Sequence, residues 1–301
     1  METVDGGGLK VSARYADGRF AAITVDLQRP PVASLFAGRP PASVVQRVPL
    51  LFSLCARAQQ AAAAAALAAA EGGEAPPVDH HDLWAECLHE HLWRLFIDWP
   101  RLLGVPDAAA AFAAWRRARG TPGLVEASVA TVAAAVDGGV IEKCRGVLVD
   151  RGRPLAAPDA PRPQAWLAAL RDPGAALPAP AVPPSAEAAY AQRVAGLQAA
   201  LAGLRDGSSY PAVAAGGSGL GVGQVATARG LLTHAAEVRD GTVVSYRIWA
   251  PTDRLFADAG PLAGLLDGDS WPDAATARRA LEIAVLALDP CLPWQVEVGH
   301  A

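Results

Sequence analysis

The sequence is short of cysteine, of aromatic side chains and of long apolar runs, and each shortage closes off a class of function. Cys55, Cys87, Cys144 and Cys291 are the four cysteines in 301 residues, and none pairs with another as Cys-x-x-Cys. A chain of this length buries an ample core without covalent staples, so these read as reduced thiols of a cytoplasmic protein. The longest apolar run, at 59–70, is mostly alanine and carries two glutamines. It is too short and too weakly hydrophobic to cross a bilayer. Residues 1–8, Met-Glu-Thr-Val-Asp-Gly-Gly-Gly, lack the basic and apolar regions of a secretory signal, so none is expected. A net charge of -4 with a pI near 5.9 offers no broad positive footprint for nucleic acid.

What is present is a globular composition, 52% hydrophobic, 19% charged and 6% aromatic. Alternating side chains at 9–27 around Asp17-Gly18, and at 231–250 around Asp240-Gly241, predict paired strands. Alanine- and leucine-rich stretches at 44–70, 107–118, 124–136 and 185–205 predict helices. Leu83, Trp84, Leu88, Leu92, Leu95, Phe96 and Trp99 recur at three- and four-residue spacing and predict a helix over 81–103, stopped by Pro100 or Pro106. The same spacing over 271–288 predicts a helix ending at Asp289-Pro290. The stretch 153–184 is proline-rich, and the glycine run at 216–223 reads as a flexible linker rather than a dinucleotide loop. The expected fold class is α+β, helix-rich, with small peripheral antiparallel β hairpins.

Two cysteines gain meaning from their contexts. Pro49-Leu-Leu-Phe-Ser-Leu-Cys55-Ala-Arg-Ala-Gln59 resembles the Arg-x-Cys-x-x-Cys-x-x-x-His motif of nickel–iron hydrogenase large subunits, and Asp289-Pro290-Cys291 resembles their Asp-Pro-Cys-x-x-Cys-x-x-His. Three further matches lie between, in the family's order: Glu90-His91 through Asp98-Trp99, Ala228-Arg229-Gly230 with His234, and Ala250-Pro251-Thr252. The resemblance covers 9–103 and 216–293. It implies a single large-subunit-like domain over 1–301 with a helical core and a divergent middle at 105–215.

The departures are as informative. Phe52 and Trp294 stand where the family has the other two metal-binding cysteines, Gln59 and Glu297 replace histidines, and no Arg-x-Glu-Gly-His segment occurs near the N-terminus. Nickel, held in the family by four thiolates, is not expected on two. Iron that already carries two cyanides and one carbon monoxide needs fewer protein ligands, so Cys55 and Cys291 suffice as a metal-binding pair for an Fe(CN)2(CO) fragment. Ferrous iron, two cyanides and two thiolates sum to a charge of about -2, which burial requires the protein to offset. Arg229 and Thr252 are the expected donors to cyanide, with Pro251 against the carbon monoxide and Glu90 or Asp289 holding Arg229.

This pattern resembles the accessory HupK/HoxV branch. It implies a non-enzymatic maturation scaffold whose partners are the hydrogenase maturation proteins and the large-subunit precursor. The rival readings are a metal-free chaperone or interaction module for the large subunit, and a divergent hydrogenase that splits hydrogen. The cluster His80, His81, Cys87, His89 and His91 lacks the second ligand pair of a zinc site and reads as a packed helix face. Cys144, between basic neighbours, has no located base to make it a nucleophile.

Overall fold

The computed structural model describes residues 7–136, 139–148, 160–172 and 174–300. Residues 1–6, read above for a secretory signal, and 153–159, the start of the proline-rich stretch, lie outside that description.

The chain opens with β1 (Gly8–Ala16) and β2 (Arg19–Gln28), passes a 3-10 turn at Val32–Phe36, and enters α1 (Pro41–Arg47) and α2 (Ala56–Ala70). A helical block follows: α3 (His80–Trp93), a π turn (Arg94–Asp98), α4 (Trp99–Leu103), α5 (Ala109–Ala118), α6 (Leu124–Val136), α7 (Val140–Val147), α8 (Pro163–Arg171) and α9 (Ala186–Asp206). Four strands come next, β3 (Ala212–Gly217), β4 (Leu220–Thr227), β5 (Gly230–Arg239) and β6 (Thr242–Trp249). The helices α10 (Pro251–Leu255), α11 (Gly260–Leu266) and α12 (Ala274–Ala287) then lead to β7 (Trp294–His300).

The strands form two sheets, ordered β2-β1-β7 and β3-β4-β5-β6. Both predicted strand pairs form, their turns carried by Asp17-Gly18 and Asp240-Gly241 at positive φ, where Asp-Gly costs least. The strand after Cys291, which the sequence did not suggest, runs parallel to β1 with Trp294 opposite Leu9. The last segment is thereby stitched to the first.

The glycine run is not a linker. It forms the β3–β4 hairpin, whose turn is Ser218-Gly219. The reason lies in α2, an almost pure alanine helix laid across the sheet. A Cβ on Gly221 or Gly223 would overlap the carbonyl oxygens of Ala66 and Ala62, so glycine and alanine together permit an unusually close helix-to-sheet approach. On the opposite face Trp166 and Leu167 of α8 pack against Val222 and Ala235.

The helix expected over 44–70 is interrupted. Alanine propensity favours continuity, but Pro49 sits in a 3-10 turn, Val48–Leu50, and the chain then loops before restarting at Ala56. Cys55 therefore lies at the N-cap of α2 rather than within a helix, with φ -126° and ψ 39°. Pro100 does not stop its helix either. The Phe96 carbonyl, which Pro100 cannot serve, accepts instead from the Ala108 N–H at 2.8 Å, and the helix ends at Gly104 in the left-handed conformation. The apolar stretch 124–147 meets the length and hydropathy of a bilayer span, yet its residues Leu124, Val132, Ile141 and Cys144 enter the helical core beside Leu88, Leu92 and Tyr190.

Candidate functional site

Cys55 and Cys291 reach one neighbourhood by different routes. The N-terminal turn of α2 has free backbone N–H groups, and Cys55 gives them no side-chain cap. Glu86 of α3 supplies it, accepting from the Arg57 and Ala58 N–H groups at 2.8 and 3.0 Å. Burial pushes the Glu86 carboxyl up, against the pull of those two bonds. The cap pins the Cys55 turn to the helical block.

Cys291 follows the end of α12. Asp289 adopts φ 53°, a left-handed residue at the helix terminus, and Pro290 then prevents the helix from continuing. The carboxylate of Asp289 gathers three arginines. Arg94 donates through Nε at 2.6 Å, Arg193 pairs through Nη2, and Arg229 Nε lies at 3.5 Å. Arg94 also donates to the Pro290 carbonyl at 2.6 Å and pairs with Asp98. The π turn that carries Arg94 and Asp98 thus clamps the Asp-Pro-Cys step.

Arg229 is 4% exposed and is held between Asp289 and Glu90, whose Oε2 accepts from Nη2 at 2.5 Å. Its buried Nε makes no hydrogen bond among the described residues. Burial alone would raise the Glu90 carboxyl, but the His89 bond at 3.1 Å and the Arg229 charge overcome it and hold the group below its ordinary value. Arg193 is pulled down to about 9 by burial and by the charges of Arg229 and Arg94.

The thiols themselves differ. Cys291 Sγ accepts from the Arg29 guanidinium at 3.0 Å and from the Thr252 hydroxyl at 3.2 Å, while its own N–H donates to Thr252 Oγ1 at 3.1 Å. Arg29 is paired with Asp253; burial opposes its charge, but Cys291 and Asp253 more than offset that and keep it cationic. Cys55 Sγ accepts from the Gln59 amide at 3.6 Å. Gln59 Oε1 lies 2.8 Å from His234 Nε2, and His234 Nδ1 lies 2.7 Å from the Tyr246 hydroxyl. The consistent proton placement has His234 donating from Nε2 and accepting at Nδ1, the neutral form, as burial holds its pKa down to about 3. Burial, with Cys291 close by, pushes the Cys55 thiol up to about 12.

The seven residues assigned to the site from the sequence, Cys55, Glu90, Arg229, Pro251, Thr252, Asp289 and Cys291, lie in or beside this cluster. Arg229, Pro251 and Asp289 line a cavity of about 700 Å³ that also touches His91 and Arg193. Cys291 lines a second cavity of about 750 Å³, walled by Trp93, Leu102 and Trp294. The Thr252 hydroxyl is directed at the Cys291 sulfur rather than into open space. Among the described residues no three His, Cys, Asp or Glu side chains gather as a metal-binding group. Sequence reasoning missed Arg29, Arg94, Arg193 and Glu86. Arg94 stands inside the matched α3 segment, four residues after Glu90, and was open to detection. Arg193, among alanines on a buried helix face, gave no such signal.

No protein-family profile matches the chain. It is 32% identical to the hydrogenase expression/formation protein HupV of Azotobacter chroococcum mcd 1, covering 98% of this chain and 99% of that one. It is also 32% identical to the hydrogenase expression/formation protein HupK of Azotobacter vinelandii, again over 98% and 99%. A shorter match, 37% identical over 34% of this chain and 30% of the other, is to the hydrogenase expression/formation protein HoxV of Cupriavidus necator. Similar solved structures include an NAD+-reducing NiFe hydrogenase, with TM-score 0.54 and 17% identity over 93% of this chain and 94% of that one. The Ni-Fe-Se hydrogenase of D. vulgaris Hildenborough has TM-score 0.59 and 14% identity over 92% and 94%. At these identities the likeness is one of fold, the hydrogenase large-subunit fold.

Proposed function

The chain belongs to the family of hydrogenase expression/formation proteins that includes HupK and HupV, and from that premise we propose that it is a non-catalytic scaffold carrying an Fe(CN)2(CO) fragment before insertion into the large subunit. The fragment is cargo, held by Cys55 and Cys291. The observation that carries this reading is the convergence of two thiols from distant parts of the chain: Ser53 and Leu54, directly before Cys55, line the same cavity as Cys291, and Cys291 adds to the upward push on the Cys55 thiol.

Their surroundings suit such a load. Two thiolates complete an iron whose diatomic ligands already fill three positions, whereas a pair offers nickel too few sulfurs. Arg29 faces the sulfur of Cys291 and Arg229 is buried nearby, so two guanidinium groups, each also paired with a carboxylate, offset part of a charge of about -2. Arginine suits both tasks because it stays charged when buried and donates in a fixed plane. Pro251, lining the cavity beside Arg229, gives the carbon monoxide an apolar contact. The maturation proteins and the large-subunit precursor are the partners on this reading.

The test is infrared spectroscopy with iron and nickel analysis on protein produced anaerobically alongside the maturation machinery. Cyanide and carbonyl bands with iron and without nickel are expected, lost together in Cys55→Ala and in Cys291→Ala. Anaerobic wild-type protein free of those bands overturns the reading.

A further inference from the structure

We propose that the cavity of about 700 Å³ between α3, α9 and the turn at Arg229 binds a small organic monocarboxylate with an apolar body, its head at His91 and Arg193. The inference stands apart from the scaffold reading. Asp289 lines this cavity, whereas Pro290 and Cys291 line the other, so the chain passes from one to the other at the Asp-Pro step.

The head group is placed by His91, which is 4% exposed on α3. Burial, then the charges of Arg193 and Arg229, hold the ring neutral, with its pKa well below the ordinary value. Among the described residues its hydrogen-bond partner is Arg193, whose Nη1 lies 3.4 Å from Nδ1. A guanidinium only donates, so Nδ1 accepts and the ring proton sits on Nε2. The Cε1–Nε2 edge faces Gly196 of α9, where a Cβ would come within 2.7 Å of Nε2. Glycine keeps a side chain off that edge, and both residues line the cavity. The Nε2–H is therefore a donor presented to whatever enters.

The sign of the ligand follows from the charges behind His91. Arg94, Arg193 and Arg229 are buried together with the carboxylates of Asp289 and Glu90. The remaining carboxylate of that knot, Asp98, is 26% exposed, and water screens its charge. Three sealed guanidinium groups against two sealed carboxylates leave a positive excess. Burial together with the repulsion of Arg229 and Arg94 accordingly pulls Arg193 down to about 9. Cys87, one turn before His91, adds no anion to the wall, because burial pushes its thiol up to about 11. A single carboxylate on a ligand balances the excess and accepts from the Nε2–H in a charge-assisted bond.

The rest of the wall sets the body of the ligand. α9 contributes Ala189, Ala195, Gly196 and Ala199, whose short side chains leave space that larger ones would fill. Trp84 and Tyr210 meet edge-to-face with ring centroids 4.5 Å apart. The Trp84 N–H and the Tyr210 hydroxyl donate to the Ser208 and Ala226 carbonyls, each at 2.8 Å. That corner thus presents rings rather than polar atoms, and an aromatic or aliphatic group fits it. A mainly apolar cavity of this size with a few convergent polar groups is the general form of a small-molecule site.

The test is calorimetric titration of the full-length chain with phenylbutyrate, phenylbutanol and phenylbutylamine, which share a body and differ in the charge of the head. Phenylbutyrate is expected to bind, the alcohol at least about tenfold more weakly, and the amine not at all. Ala199→Leu, which fills the wall, and His91→Phe, which removes the donor, are each expected to weaken phenylbutyrate at least about tenfold. His91→Gln, which keeps an N–H donor, is expected to bind better than His91→Phe. Photolabelling with benzoylbenzoate, itself an aromatic monocarboxylate, locates the site. Labels that phenylbutyrate suppresses are expected between Ala189 and Ala199 or between Ala226 and Leu231. Melting curves accompany every variant, and where His91→Phe does not fold, Ala199→Leu and the three head groups decide. No binding of phenylbutyrate means that the cavity holds solvent only and overturns the proposal. Equal affinity for acid and alcohol, binding of the amine, labels at 290–294 alone, or binding unchanged in the folded variants overturns it as well.

Discussion

The two thiols keep opposite company. The hydrogen-bond chain that starts at the Cys55 sulfur is neutral: an amide, an imidazole held uncharged and a phenol, linked from Gln59 through His234 to Tyr246. Around Cys291 the neighbours are charged, with Arg29 on the sulfur and the Asp289 knot of Arg94, Arg193 and Arg229 two residues before it. The neutral side rests on an alanine helix pressed into a glycine-bearing sheet, and the charged side on paired arginines and carboxylates. The difference teaches that the site has a rigid anchor and an electrostatic clamp, each separately open to attack.

The largest effect is expected on the clamp. Asp289→Ala leaves three buried arginines sharing too little negative charge and should cost about 3–5 kcal/mol, measured by urea unfolding. A loss under about 1 kcal/mol would show that the arginines find water instead.

The pH dependence is next. His234, with a pKa held down to about 3, and His91, held well below its ordinary value by burial and then by Arg193 and Arg229, are both neutral in the fold. The unfolded chain takes up protons at these residues below about pH 6.5, so folding stability is complete above that pH and is lost as the pH falls through it. Two such groups set a limiting slope of about 2.7 kcal/mol per pH unit. Melting temperature between pH 7.5 and 5 should fall accordingly, and a flat profile would contradict neutral burial. His234→Gln should lower the slope, isolating the neutral side.

Gly223→Ala tests the anchor. Its new methyl group meets backbone of α2, which cannot yield, so a destabilisation of about 1–3 kcal/mol is expected from thermal unfolding. The same substitution at exposed Gly241, whose positive φ would strain an alanine, makes a poor control, and Gly146, open to solvent and within α7, a good one. The smallest effect should follow Gln59→Leu, which removes the acceptor of the His234 Nε2–H and the donor to Cys55. About 1–2 kcal/mol is expected, together with slower alkylation of Cys55 relative to Cys291, because the lost donor favoured the thiolate. Unchanged relative alkylation would mean that the amide does not govern ionisation of the sulfur.

What was legible in the sequence was whatever local chemistry specifies. Asp-Gly at two turns, flanked by alternation, gave both hairpins, and the spacing of Trp84, Leu88 and Leu92 gave α3. What was hidden depended on partners distant in the chain. No propensity scale shows that Glu86 will cap the turn after Cys55, and so the 44–70 stretch reads as one helix. Glycines at 221 and 223 are poor strand formers by themselves, and only the approach of α2 makes them necessary. In the site, the motif resemblance brought Arg229, Glu90 and Asp289 together. Arg193, whose partner Asp289 lies far along the chain on another helix, became visible only in three dimensions.

The parallel pairing of β7 with β1 has a bearing on biogenesis. Trp294 must find Leu9, and the backbone of β7 is what draws Cys291 toward the Cys55 turn from the far side of the sequence. A ribosome releases the first strand long before the last, so the first sheet stays short of a strand throughout translation, and contacts of such high separation form late. Both sulfurs are in place only once that seam has closed. An unfinished chain therefore lacks the seam that brings the segment after Cys291 back to the first strand.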